Sequence, residues 1–229
     1  MKDNPVKIYQ LRVWLKDISP MIWRRLLVRS DNTLADLHHT IQIVMNWEDY
    51  YLHQFTIQGR MLKARKNIYL EEFQFRENEK FLYEYNFFVY WSHEIRVEKI
   101  LPFDSKIAHP ICIAGKRTAP PEDCGGANAF MELQDHYSSW RIMEKLVHLV
   151  KLAKRRSNKV SHDDCDENYD EDYDYDDDED DDNPEATLET LEYWANQHRF
   201  NRRAINHQLQ EHFKSINNAE NASEVINEN

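Results

Sequence analysis

One run of acidic residues cannot contribute to a folded core, and it divides the segments that can. Residues 163–183, DDCDENYDEDYDYDDDEDDDN, contain 15 of the 41 Asp and Glu residues and no Lys or Arg. Like charges at this density repel one another, and the segment has almost no apolar side chains to bury. We therefore predict a disordered acidic insert over 157–183, with the folded part of the chain outside it.

The acidic run also conceals the charge of the rest of the chain. The 229 residues have a net charge of −12, but outside the run 26 acidic residues face 29 Lys and Arg. A chain of this length can build one well-buried domain with an appendage. We predict a domain over 1–156, a C-terminal helical segment over 184–216 that packs on it, and a frayed tail over 217–229.

Cysteine content and hydropathy favour a cytoplasmic protein. Cys112, Cys124 and Cys165 are an odd number of cysteines without the spacing of a disulfide framework, as expected in a reducing compartment. The first ten residues, MKDNPVKIYQ, lack an apolar stretch, and no segment approaches the roughly 18 apolar residues of a membrane span. We expect no membrane association.

Apolar and polar residues alternate, or β-forming residues dominate, in several segments that we predict to be strands. These are 6–16, 22–29, 51–57, 81–91, 93–101 and 109–115. The first two flank the turn DISP and predict a hairpin, and 81–91 with 93–101 predicts a second strand pair.

Helical periodicity appears early in the chain and again towards its end. Asp31 or Asn32 can cap a helix over 33–46, whose apolar stripe is formed by Leu34, Leu37, Ile41 and Val44. Later helical segments are 128–156, with Trp140, Met143, Val147 and Val150 on one face, then 184–197 and 200–213. This order predicts an α+β fold, a mostly antiparallel sheet packed by one early helix and several C-terminal helices.

Several blocks occur in an order that indicates a family. They are PMIWRR at 20–25, LHHT at 37–40, WSHEIRVEKILP at 91–102, APPEDCGG at 119–126 and FNRRAIN at 200–206. Together they resemble the Ri-plasmid ORF-three-like family, whose members include insertion-element passenger (transposon) proteins, over about 6–135 and again near 200–210. The resemblance implies an α+β fold and a gene of mobile elements or bacterial accessory genomes, and it implies no settled biochemical activity.

Two departures from the family pattern remove polar groups. Relatives tend to have Asp-Phe-Gly-Asp before the Trp-x-His unit, where this chain has Asn86, Phe87, Phe88 and Val89. A cysteine often precedes the two prolines in relatives, where this chain has Ala119. Any site built from those groups is therefore depleted here.

The block APPEDCGG is best explained as a structural corner. Pro120 and Pro121 stiffen a turn, and Cys124 packs as a small buried side chain. Gly125 and Gly126 permit positive φ before the next helix. We favour this structural interpretation over a chemical one.

The two acids of the block leave further alternatives open. A glycine pair before a helix that begins near Asn128 can direct backbone N–H groups at a phosphate, but Glu122 and Asp123 would oppose an anion. The acids can instead bind a cation or pair with Arg24 or Arg25, which face opposite sides of a strand. We favour the pairing with an arginine.

A set of cysteines and histidines offers a candidate metal or thiol site. Cys112, Cys124, His93, His109 and His53 carry ligand atoms that zinc accepts, but Cys112 and Cys124 are twelve residues apart, unlike the close pairs of structural zinc sites. A Cys–His pair would also suit an enzyme if an imidazole activated the thiolate. We predict no cofactor and keep a metal- or Cys/His-dependent enzyme as the alternative.

Binding is favoured above catalysis. The predicted helix over 128–156 carries basic side chains that suit phosphates, or that suit the negative end of the helix dipole. With Arg24 and Arg25, the candidate binding residues are Arg141, Lys145, Lys151, Lys154, Arg155 and Arg156. We predict a non-enzymatic accessory protein that binds nucleic acid or a basic protein, with the acidic run modulating either interaction.

Overall fold

The computed structural model describes residues 5–137 and 188–227, and the five single positions Met143, Val147, Val150, Lys151 and Lys154. In the second segment, the side chains described are those of residues 189–216. The predicted acidic insert, and Trp140, Arg141, Lys145, Arg155 and Arg156, lie outside these residues. The chain forms two compact units, one of residues 1–132 with 197–229 and one of residues 133–196.

The described strands form one antiparallel sheet. They are β1 (Lys7–Leu15), β2 (Trp23–Arg29), β3 (His53–Ile57), β4 (Arg60–Leu62), β5 (Lys80–Tyr85), β6 (Trp91–Pro102) and β7 (Ile111–Lys116). Their order across the sheet is β4-β3-β5-β6-β1-β2-β7. The predicted hairpin of β1 and β2 is confirmed, and so is the pairing of β5 with β6.

The helices whose bounds lie within the described residues complete an α+β fold, as the sequence predicts. They are α1 (Leu34–Met45), α2 (Gly126–His136), α3 (Leu188–Asn196) and α4 (Arg202–Asn227), with a short 3-10 helix at Leu70–Phe73. Helix α4 extends to Asn227, so residues 217–227, where the sequence predicts fraying, are helical. No helix within the described residues is both long and apolar enough to cross a membrane.

The first helix is capped one residue later than predicted. The Thr33 hydroxyl accepts from the N–H of Asp36 at 3.1 Å, and the Asp36 carboxylate accepts from the N–H of Thr33 at 2.8 Å. Asp31 and Asn32 are instead hydrogen-bonded to Arg29, the first to its guanidinium and the second to its N–H. The predicted apolar stripe is confirmed as buried at Leu34, Leu37, Ile41 and Val44.

The predicted strand over 81–91 is interrupted by a turn. β5 ends at Tyr85 and β6 begins at Trp91, because Asn86 and Tyr90 take positive φ values of 55° and 56°. The Asn86 carbonyl accepts from the N–H of Tyr90 at 2.7 Å, and its side chain accepts from the N–H of Phe88 at 3.2 Å. A run of aromatic and β-branched residues is therefore compatible with a tight hairpin turn.

The block FNRRAIN attaches the C-terminal part of the chain to the edge strand β7. Asn206 bonds both main-chain groups of Cys112, accepting from its N–H at 2.8 Å and donating to its carbonyl at 2.9 Å. The ring of Phe200 lies 4.3 Å below the guanidinium of Arg24. A Cβ added to Gly115 would come within 2.5 Å of the Phe200 ring, so a larger residue there would require this ring to move.

In the unit of residues 133–196, aromatic packing is the main described interaction. Leu191 and Trp194 of α3 are buried, and Trp194 stacks on Tyr137 with ring centroids 5.5 Å apart. Met143, Val147 and Val150 are helical but exposed, which departs from the buried stripe expected of an apolar helix face.

Candidate functional site

The corner at 119–126 holds two tryptophans through its main chain. The indole N–H of Trp47, just after α1, donates to the Pro120 carbonyl at 2.9 Å. The indole N–H of Trp91, the first residue of β6, donates to the Glu122 carbonyl at 3.0 Å. Both indoles are buried. The corner thereby connects α1 with the sheet.

The carboxylates of the corner also have internal donors. Glu122 accepts from the hydroxyl of Tyr85 and, at 2.7 Å, from the N–H of Glu48. Asp123 accepts from the hydroxyl of Tyr51 at 2.6 Å. These contacts fix the chain between α1 and β3 against the corner.

The predicted pairing of Arg24 or Arg25 with these acids is wrong. Arg25 pairs with Glu98 of β6, with Nε and Oε2 2.5 Å apart, because the two residues share the outer face of the sheet. Arg24 lies on the core face, as the alternation of the strand predicts for one of the two arginines. Its guanidinium donates to the carbonyls of Val44 and Lys116 at 2.8 Å and 3.1 Å. Both arginines thus serve the fold.

The glycine pair behaves as predicted. Gly125 and Gly126 have φ values of 90° and 89°, and α2 begins at Gly126 rather than near Asn128. A Cβ on Gly126 would lie 2.5 Å from the carbonyl oxygen of Val89, so the corner packs directly on the 86–90 turn.

The thiol of the corner is not activated. Burial raises the pKa of Cys124 to about 11, which leaves it protonated at neutral pH. Burial likewise raises the pKa of Cys112, whose thiol donates to the Ala114 carbonyl at 3.4 Å. Neither thiol has the lowered pKa of a nucleophile.

An acidic and aromatic surface forms where these loops meet. Its exposed apolar side chains are Tyr50 (70% exposed), Leu52 (73%), Phe88 (90%) and Tyr90 (57%). The Leu52 carbonyl accepts from the N–H of Asn86 at 2.9 Å, which joins the loop before β3 to the 86–90 turn. We name this the acid–aromatic surface: Glu48, Tyr50, Leu52, Phe88, Tyr90, Glu122 and Asp123.

Negative charge is concentrated on this surface. The pKa of Tyr50 is raised, first because its hydroxyl donates to Glu48 and further because Glu122 and Asp123 lie near. The pKa of Tyr51 is raised by its hydrogen bond to Asp123 and by Glu122. The same carboxylates therefore act on both phenols, and a cation placed there would meet a negative potential.

A histidine cluster lies beside this surface, formed by His38 and His39 of α1, Asp49 and His53. Nε2 of His38 is 2.9 Å from Oδ2 of Asp49, and Nδ1 of His39 is 3.8 Å from the same oxygen. The rings of His38 and His53 stack with centroids 3.6 Å apart. Burial lowers the pKa of His38 to about 3 and that of His53 to about 4, so both rings are neutral at pH 7.

His93 occupies a different environment. It is fully buried on β6, with its ring centroid 5.3 Å from both Trp47 and Tyr83. Burial lowers its pKa to about 3. His109 lies by Phe103, with ring centroids 6.1 Å apart. Within the described part of the chain, neither histidine belongs to a group of three potential metal ligands, and neither do Cys112 and Cys124.

The sequence matches a known protein family over most of its length. The family described as plasmid pRiA4b ORF-3-like protein matches residues 7–182. The chain belongs to this family. The match begins with β1 and includes the corner, which confirms the resemblance seen in the sequence and extends it beyond residue 135.

Two proteins similar to this chain add a fold but no assigned activity. The chain is 26% identical over 137 residues to "Uncharacterized protein y4hQ" of Sinorhizobium fredii. The aligned residues cover 55% of this chain and 70% of that protein. It is 39% identical to a solved protein of unknown function, MM3350 from Methanosarcina mazei Go1. That likeness has a TM-score of 0.54 and covers 58% of this chain and 82% of the other.

The sequence did not single out the histidine cluster. The block LHHT contains His38 and His39, and its position among the family blocks was the available signal. Asp49 lies eleven residues after His38 and carries no local signature of its own. Of the predicted basic residues, Lys151 and Lys154 are helical and exposed.

Proposed function

We propose that this member of the pRiA4b ORF-3-like family acts by binding a basic protein partner through the acid–aromatic surface. The observation that carries the proposal is the exposure of four large apolar side chains beside three carboxylates. Exposed aromatic groups at one place on a protein are typical of an interaction site.

Charge selects a basic protein over nucleic acid as the partner. Glu48, Glu122 and Asp123 would repel a phosphate backbone, whereas they attract Lys and Arg side chains. Tyr50, Phe88 and Tyr90 offer ring faces to the same cations, and cation–π contacts contribute about 0.5–1 kcal/mol each at exposed sites. The acidic run at 163–183 has the same sign and adds to the attraction.

The internal hydrogen bonds prepare this surface for binding. Glu122 and Asp123 are held by Tyr85 and Tyr51, and the 86–90 turn rests on Gly126. Because these loops are already fixed, little conformational entropy is lost when a partner binds. We infer a non-enzymatic accessory role in the cytoplasm, in keeping with the mobile-element setting that the family resemblance implies.

The test measures fluorescence anisotropy of a labelled peptide rich in Arg and Lys, titrated with the full chain at two salt concentrations. An acidic peptide of equal length and single- and double-stranded DNA are measured in parallel. We expect binding of the basic peptide alone, and a loss of about tenfold in the double variant Phe88→Ser and Tyr90→Ser.

Met61→Ser is the matched control, because Met61 is 74% exposed on β4, at the opposite end of β3 from the surface. It should bind as the parent does. Equal affinity of the parent and the Phe88/Tyr90 variant, or a preference for DNA, would contradict the proposal. Deletion of 163–183 separates the contribution of the acidic run from that of the surface.

A further inference from the structure

The side chains of His38, His39 and Asp49 bring three potential metal ligands together. Each residue offers one ligand atom within 4.8 Å of the other two. Oδ2 of Asp49 is 2.9 Å from Nε2 of His38 and 3.8 Å from Nδ1 of His39. A tetrahedral ion with bonds of about 2.0–2.2 Å holds its ligand atoms about 3.3–3.6 Å apart. The observed separations bracket that value, so small side-chain movements suffice to close the site.

We propose that His38, His39 and Asp49 bind a divalent first-row transition-metal ion, with Zn²⁺ as the reference ion. This inference goes beyond peptide binding and does not depend on it. Two imidazoles and one carboxylate are a ligand set that zinc and neighbouring metals accept, and Ca²⁺ and Mg²⁺ prefer oxygen ligands.

Two buried hydrogen bonds orient the His38 ring through the nitrogen that does not face Asp49. Nδ1 of His38 is 2.8 Å from the hydroxyl of Tyr83, and Nε2 of Gln42 donates to that hydroxyl at 2.7 Å. With Asp49 accepting from Nε2 of His38, the Tyr83 proton points to Nδ1. Metal-ligating histidines usually have such a partner on their second ring nitrogen.

The orientation of the Gln42 amide sets the direction of these hydrogen bonds, and the opposite direction is also open to them. The Oε1 atom of Gln42 is buried and has no hydrogen-bond donor among the described residues. If the amide is rotated by half a turn, Oε1 accepts from the Tyr83 hydroxyl, and the Tyr83 oxygen accepts from Nδ1–H of His38. His38 then presents an unprotonated Nε2 beside Asp49, which is the form that a metal ion requires.

The remaining groups around the cluster are compatible with a cation. His53 stacks on His38, and His212 of α4 lies with its ring centroid 5.2 Å from that of His39. Both rings place imidazole nitrogens, rather than a fixed positive charge, next to the proposed ligands.

The experiment titrates the chelator-treated full chain with Co²⁺ and Zn²⁺. Co²⁺ reports coordination through its visible d–d absorption, and calorimetry gives the Zn²⁺ affinity and stoichiometry. We expect one site with nitrogen coordination. Asp49→Asn and His39→Ala should each weaken binding about 100-fold, and Tyr83→Phe about tenfold through His38.

His207→Ala is the control, because His207 is an exposed histidine of α4. The thermal midpoint of each metal-free variant shows whether it is folded. Zn²⁺ should raise the midpoint of the parent and of His207→Ala, but not that of Asp49→Asn. Equal Zn²⁺ affinity in the parent and Asp49→Asn, as expected if only the carboxylates of 163–183 bind the ion, would overturn the proposal.

Discussion

The corner at 119–126 and the histidine cluster lie at the same end of the sheet, but they use polar groups in opposite ways. In the corner, two carbonyls and two carboxylates accept hydrogen bonds from Trp47, Trp91, Tyr85 and Tyr51. In the cluster, three ligand atoms converge on one position. The internal donors hold the corner carboxylates in place as fixed negative charges, whereas the ligand atoms of the cluster lie close enough together to share one ion.

The largest stability effect should come from the corner. Gly126→Ala forces a side chain into φ 89° and against the Val89 carbonyl, whereas Gly59→Ala meets only the cost of φ 74° in open space. We expect losses of about 3 kcal/mol and about 1 kcal/mol respectively, measured by urea denaturation. Equal losses would show that the corner does not depend on this close approach.

Acid should destabilise the protein through the buried histidine. Because the pKa of His93 falls from about 6.5 unfolded to about 3 folded, the native state holds the ring neutral. The contribution of the neutral His93 ring to stability is complete above pH 6.5. As the pH falls from 6.5 towards 3, the free energy of unfolding decreases by about 1.4 kcal/mol per pH unit.

His93→Phe tests the origin of that slope, since it keeps an aromatic ring in the core without a titrating group. We expect the unfolding free energy of this variant, measured between pH 7 and pH 4.5, to depend less steeply on pH than that of the parent. The difference should correspond to about one proton fewer taken up on unfolding. The remaining pH dependence of the unfolding free energy comes in part from the lowered pKa values of His38 and His53. An unchanged slope would mean that His93 does not titrate on unfolding.

A carboxylate of the corner should matter to folding but not to metal binding. Glu122→Gln weakens the acceptors for Tyr85 and for the N–H of Glu48, and we expect a loss of about 1–2 kcal/mol. Asp123→Asn, at an exposed position, is the comparison variant and should cost less. Calorimetry with Zn²⁺ should give the parental affinity for both, and a large drop would remove the distinction between the two regions.

The smallest stability effect should come from the cluster. Asp49→Asn keeps an oxygen that can accept from His38, and Asp49 is exposed. In metal-free protein we expect a change below about 1 kcal/mol by urea denaturation. A larger loss would indicate that Asp49 serves the fold in the way that Glu122 does.

Much of the fold could be predicted because its signals are local. The spacing of Leu34, Leu37, Ile41 and Val44 identifies α1, and Gly125 with Gly126 identifies a turn that requires positive φ. The cap of α1 was misassigned because Arg29 engages both Asp31 and Asn32. That competition depends on three-dimensional position and has no sequence signature.

The candidate sites were harder to predict because their partners are distant in sequence. Glu122 was expected to pair with an arginine, yet its donors are Tyr85 and the main chain of Glu48. His38 meets Tyr83 through the packing of α1 on β5, 45 residues later. Carboxylates, tyrosines and histidines have many possible partners, so residue type alone does not select one.

The bond pair between Asn206 and Cys112 has a consequence for self-association. A side-chain amide presents the same donor and acceptor as a peptide group, so Asn206 occupies the place on β7 that a strand of another molecule would take. An uncovered edge of this kind invites growth into fibres. The C-terminal helix thus covers this edge of the sheet at Cys112.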